Sequence, residues 1–280
     1  MQLSLKSDKT QIAIYVAITF AVSWSIQYLM IRGRGINDIG LDLLLMWTPG
    51  LVAICLSIFV FRNFKDIGFR FGQLKYYGMA YAIPAATACL ILLTLIALGQ
   101  GEFEVNPALI QKKGSLAKAL IAILIKGPLL GVVMGSLSAL GEEIGWRGFL
   151  QSRFINLKAR HSFLIVGVIW AIWHWPLILF SNYATSAIPA LSLFIFSIVT
   201  ASFGIIIGYL RFRSGSVFVP MLAHGVHNMW IQAIYPAFLK PGPLDAYLGG
   251  ESGIINAVIY LLAALFIYKK FLKDGLPKEI

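Results

Sequence analysis

Residues 163–180 read FLIVGVIWAIWHWPLILF, eighteen consecutive positions without an Asp, Glu, Lys or Arg. A run of that length is what a helix needs to cross the hydrocarbon core of a bilayer. In lipid the backbone has to satisfy its own N–H and C=O groups, and a helix does so. The stretch therefore reads as a membrane-spanning helix. Two residues within it resist that simple assignment. His174 is ionisable and lies where lipid should be. Pro176 has no N–H for the carbonyl of Ile172, so the helix is opened beside the imidazole.

Working outward, further apolar runs separated by polar turns lie near 11–31, 42–61, 76–98, 119–141, 188–210, 216–238 and 253–268. With 163–180 they predict an all-α polytopic bundle of about eight transmembrane helices. Of 280 residues, 59% are hydrophobic and only 12% charged, well outside the range of soluble proteins. Eight spans leave short loops and no room for a sizeable aqueous domain, which excludes a receptor carrying a soluble catalytic module. The run 11–31 exceeds the hydrophobic region of a signal peptide and no small-residue cleavage site follows it, so it reads as a retained span.

The formal net charge of +11 raises the question of nucleic acid, and its placement answers it. An even number of spans puts both termini on one side. The loops and tails of that side carry sixteen Lys and Arg, from Lys6 to Lys278 and including Arg147, Arg153, Lys158 and Arg160, against six on the other. That bias predicts cytoplasmic termini and accounts for the charge without nucleic acid. The compact length points to a bacterial plasma membrane. Cys55 and Cys89 fall in apolar runs, where they are expected to be small buried hydrophobes, and they offer no disulfide framework or metal site. Gly127, Gly131, Gly135 and Ala139 form a small-residue stripe suited to close helix packing. The longest loop, 99–118, contains a Pro107-Ala-Leu-Ile-Gln pattern that permits a short interfacial helix.

Ionisable residues inside spans are costly and mark candidate functional sites. In GEEIGWRGFL, residues 141–150, Glu143 and Arg147 are four apart and can pair along one face, while Glu142 is turned about 100° away. One carboxylate is neutralised and the other left for chemistry, although an interfacial ion-pair cluster ending the helix has the same composition. His174 can equally be a neutral core histidine among Trp170, Trp173 and Trp175. In LAHGVHNMW, residues 222–230, His224 and Asn228 share a face and His227 points elsewhere; interhelical hydrogen bonding is the plain alternative. His161, in a basic loop, is expected to be solvated. Counting residues along the spans places Glu142, His174, His224 and Asn228 together in the cytoplasmic half of the bilayer. A carboxylate and a histidine can bind and deprotonate water, and a His/Asn pair can stabilise an oxyanion, which are the parts needed to hydrolyse an amide.

At these residues the chain resembles the CPBP family of intramembrane proteases, also called the CAAX-protease, bacteriocin-processing or Abi family. The likeness rests on Glu142-Glu143-Ile-Gly-Trp-Arg147, on Trp170-Ala-Ile-Trp-His174, where Trp170 replaces a frequent Phe, and on His224-Gly-Val-His-Asn228. It covers about residues 118–232, leaving 1–117 as three N-terminal helices and 233–280 as a last helix and tail. The resemblance implies a catalytic chamber in the membrane, opening toward the cytosol and laterally to lipid. It implies that Glu142 and His174 activate water, that His224 and Asn228 form the oxyanion hole, and that Glu143 and Arg147 support them. The implied substrate is a membrane-associated peptide or protein. No cofactor is required by this reading; zinc held by Glu142, His174 and His224 is the alternative chemistry, although no HExxH is present. A transporter-like bundle would also bury Glu and His, but no pair of related halves is visible. A non-enzymatic scaffold or immunity protein would keep the fold without needing all six residues.

Overall fold

The computed structural model describes residues 7–35, 38–157, 161–184 and 188–274. The chain is a helical bundle: α1 (Asp8–Gly33), α2 (Ile39–Val60), α3 (Leu74–Ala97), the short α4 (Pro107–Lys113), α5 (Leu116–Asn156), α6 (Ser162–Phe180), α7 (Pro189–Ser214), α8 (Phe218–Met229, continued by a wider π turn at Trp230–Ile234) and α9 (Ile254–Asp274). Seven of these are long and apolar enough to cross a membrane. The eighth expected span, 216–238, is the shorter α8, which ends in a turn at Pro236–Phe238. The expected interfacial helix is α4, capped by Asn106, whose side chain accepts from the Ala108 and Leu109 amides.

Large apolar side chains on the outer faces are exposed, among them Leu129, Leu130 and Met134 of α5 and Leu262 and Phe266 of α9. In water such a surface would be an aggregation hazard; in lipid it is the solvated face. Cys55 and Cys89 are free and exposed, so they contribute to this outer surface and not, as expected, to the core. The interior is aromatic, with Tyr15, Trp146, Phe149 and Trp173 fully or almost fully buried in one cluster.

The loops sort to two ends. At the end holding both termini, Ser152 and Arg211 donate to the Asp66 carbonyl (3.0 and 2.9 Å), the Val217 amide donates to Gly68 (3.0 Å) and Arg153 donates to Gln11 (3.2 Å). At the opposite end an unanticipated antiparallel ribbon joins β1 (Gly101–Phe103) to β2 (Leu239–Pro241), with Glu102 opposite Lys240, and Gln232 donates to Glu251 (2.7 Å).

One boundary departs from expectation. The charged segment after residue 141 does not leave the bundle; α5 runs on as helix to Asn156. Arg147 and Arg153, counted above as loop cations, are fully buried. Glu143 neutralises Arg147, so the helix can stay inside. The bias toward the terminal end survives their removal from the count. Lys6, Lys158, Arg160 and Lys278 lie outside the described residues.

Candidate functional site

The GEEIG segment is packed from both sides. Gly141 and Gly145 face α2, and a Cβ on either would fall on the backbone of Trp47 or Pro49. That close approach buries Glu142 and Glu143 between helices without an exposed rim. The small-residue stripe higher on α5 meets α8 as expected: a Cβ at Gly135 would touch the Gly225 backbone, and one at Gly131 would strike Met229. The two approaches fix α5, which carries the first motif, between α2 and α8, which carries the third.

Glu142, His174, His224 and Asn228 come together on the wall of one cavity of about 340 Å³. Glu142 Oε2 accepts from the Trp170 indole N–H at 2.6 Å. Nothing in the motif assigned Trp170 such a task, and a Phe there would have no donor. Its ring also stacks under the Arg147 guanidinium, 4.1 Å from the centroid, and lies edge-on to His224. His174 Nδ1 is 2.9 Å from the Trp170 carbonyl oxygen. A carbonyl can only accept, so Nδ1 carries the proton and Nε2 keeps its lone pair. The helix around Pro176 stays continuous, and Gln27 and Trp24 of α1 donate to the adjacent Trp173 carbonyl (2.9 and 3.3 Å).

Glu143 and Arg147 lie behind this wall. Glu143 Oε1 accepts both from Arg147 (2.9 Å) and from His224 Nδ1 (2.8 Å). The i,i+4 pair was legible; its extension to a third helix was not. The arrangement orients His224, directs its Nε2 away from Glu143 and makes Glu143 the hinge between the first and third motifs.

The zinc alternative lacks its ligand set. Among the described residues no three His, Cys, Asp or Glu side chains converge closely enough to hold a metal ion, so Glu142, His174 and His224 do not form the triad that the zinc alternative needs.

Several cavity residues carried no role in the sequence reading. His227 turns from Asn228 as predicted, yet it also lines the cavity; its Nδ1 is 2.9 Å from the Tyr260 hydroxyl and its ring stacks on Phe203. Asp42, Tyr183, Gln232 and Glu251 line it as well. Burial pushes the Glu251 carboxyl above the usual carboxylate range, against the opposing hydrogen bonds of Gln232 and Tyr183. The only available signal for Glu251 was an acid placed immediately before an apolar helix. His161 is exposed, as expected, and contacts Tyr268.

The cavity also differs from expectation in direction. His174 lies twelve residues from the start of α6 and six from its end, so the constellation is not confined to the terminal-side half. From buried Glu142 and His224 the lining passes to exposed Asp42, Gln232 and Ala233. All three belong to the end opposite the termini. The chamber therefore opens away from the terminal face, whereas the resemblance implied an opening on the cytosolic side, where the charge bias puts the termini.

Residues 123–230 match the family described as Type II CAAX prenyl endopeptidase Rce1-like. That segment contains all six motif residues and bears out the resemblance read from them. The chain is also similar to CAAX prenyl protease 2 of Methanococcus maripaludis, 44% identical over 50 residues, which is 16% of this chain and 17% of that protein. The chain thus matches less than a fifth of that relative's length.

Proposed function

We propose that this integral membrane protein, whose central segment falls in the CAAX prenyl endopeptidase family, is an intramembrane endopeptidase that cleaves a membrane-associated peptide or protein. The observation that carries the reading is the convergence of Glu142, His174, His224 and Asn228, from three helices, on one cavity wall. Residues 118–232 form the catalytic core in this reading, flanked by the helices of 1–117 and 233–280.

In the mechanism, a water bound between Glu142 and His174 Nε2 gives its proton to Glu142. The resulting hydroxide forms a C–O bond to the scissile carbonyl carbon, and the carbonyl oxygen becomes an oxyanion. Asn228 donates to that oxyanion through its amide N–H. His224 donates through Nε2 only when its ring carries both protons, because Nδ1–H is committed to Glu143; the Glu143 carboxylate is placed to balance that charge. The oxyanion collapses, the C–N bond breaks and the amine leaves with the proton held by Glu142. General acid–base catalysis of this kind contributes about 10²–10⁴ in rate.

Comparative peptidomics of membranes containing wild type, Glu142→Ala or His174→Ala tests the reading. The expectation is that wild-type-dependent peptides disappear in both variants while folded protein persists in the membrane. Undiminished cleavage by a well-folded Glu142→Ala protein would refute it.

A further inference from the structure

A second cavity, of about 610 Å³, lies at the terminal end of the bundle and reaches Arg147 from the side opposite the proposed chemistry. Among the described residues its wall holds four arginines, Arg70, Arg147, Arg211 and Arg213, and a single acid, Asp66. That acid is shared with Arg153, 3.8 Å away. The rim residues Arg70 and Arg213 are exposed, while Arg211 and Gln151 at the floor are buried. Arg211 Nε and Arg147 Nε and Nη2 are buried and without a hydrogen-bond partner among the described residues. Unpaired buried donors of this kind are costly unless a ligand or water meets them.

The loops are shaped to hold these side chains. Gly68 and Gly215 have φ of +82° and +69°, and a Cβ on either would collide with the guanidinium of Arg211 or Arg70 respectively. Arg70 Nε donates to the Gly215 carbonyl (2.7 Å) and Arg211 Nη2 to those of Asp66 and Ile67 (2.9 and 3.2 Å). Two glycine turns thus pin one rim and one floor arginine from different loops around one space.

The surroundings indicate where its occupant comes from. On the Arg70 loop, Phe64, Phe69 and Phe71 are 42%, 43% and 67% exposed, and Phe64 stacks on Phe69 at 5.5 Å. Exposed aromatics beside arginines are the pattern of a segment seated at headgroup depth. Guanidinium forks match phosphate oxygens in geometry and charge. We infer that this cavity binds a phosphate group, carried by an anionic lipid headgroup of the leaflet at the terminal end. Binding here does not depend on the protease reading.

The test is retention of phosphatidylglycerol against phosphatidylcholine of identical acyl chains, measured by native mass spectrometry on the purified full chain. The variants are the exposed-rim pair Arg70→Gln with Arg213→Gln and, separately, Arg211→Gln. Each lost charge-assisted hydrogen bond is expected to weaken binding by about tenfold, so the rim pair should abolish the preference while the helical circular dichroism stays that of wild type. Equal retention of the two lipids by wild type, or undiminished phosphatidylglycerol preference in the folded rim pair, would overturn the inference. In a second arm, inorganic phosphate is titrated at constant ionic strength. An Arg70-dependent thermal shift at millimolar phosphate, with no lipid preference, would assign the site to soluble phosphate and overturn its assignment to lipid.

Discussion

Trp170 occupies a position that the motif defines only as aromatic, yet its indole N–H holds Glu142 at 2.6 Å and its ring supports Arg147 and His224. Trp170→Phe keeps most of the ring surface and deletes the donor. A hydrogen bond to a charged group is worth about 1.5–3 kcal/mol, and the freed carboxylate oxygen would sample orientations away from the water. Turnover is therefore expected to fall by roughly tenfold or more with KM nearly unchanged, as steady-state kinetics on a cleaved peptide would show; wild-type turnover would remove the indole from the mechanism. At this scale the pairing of Arg147 with Glu143 and not Glu142 was legible, because four-residue spacing along a helix decides which carboxylate meets Arg147. The bond from Glu143 to His224 and the role of the Trp170 N–H were not, because a motif records residue types and not which atoms meet across helices. Glu251 was equally hidden: it reaches the cavity only through the fold of the segment before α9.

Among the elements, α5 departed furthest from its sequence reading. A cluster of Glu, Glu and Arg normally ends a span, and the expected boundary at 141 followed from that rule. The pair Glu143–Arg147 cancels its own charge within one turn, and the glycines on either side of Glu142 let α2 approach closely. Gly141→Ala would drive a methyl group into the Trp47 backbone, which cannot move aside as a flexible side chain can. Overpacking of this kind costs about 1–3 kcal/mol. The expected result is a lower Tm and a smaller folded yield in detergent. Gly78→Ala supplies the opposite sign: in α3 its Cβ meets nothing within 4 Å, so the gain of about 0.5–1 kcal/mol for replacing a helical glycine should appear as unchanged or raised Tm. Equal behaviour of the two variants would show that α2 does not lean on Gly141. Six of the other spans were legible from hydropathy alone; the expected span at 216–238 is only the shorter α8. The β1–β2 ribbon was not, since three-residue strands have too little length for alternation to register.

The whole molecule joins two independent asymmetries. Basic residues crowd the end that holds both termini, and the cavity opens at the other end, through Asp42, Gln232 and Ala233. If the charge bias orients the chain as it does in other polytopic proteins, the termini and the arginine-lined cavity face the cytoplasm, and the mouth of the candidate active site faces outward. A substrate would then arrive from the outer face or sideways from lipid, along the half-buried wall of Gly131, Gly135 and Ser138. Orientation is measurable without knowing the substrate. Cys55 and Cys89 are exposed on the apolar surface and line neither cavity, so replacing both by Ser gives a background for single cysteines. Gln232→Cys at the mouth should react with a membrane-impermeant maleimide in intact cells, whereas Asn156→Cys, at the exposed terminal-side end of α5, should react only after the membrane is opened. The reverse pattern would place the mouth in the cytosol, as the family resemblance implies, and would mean that the charge bias does not set the orientation of this chain.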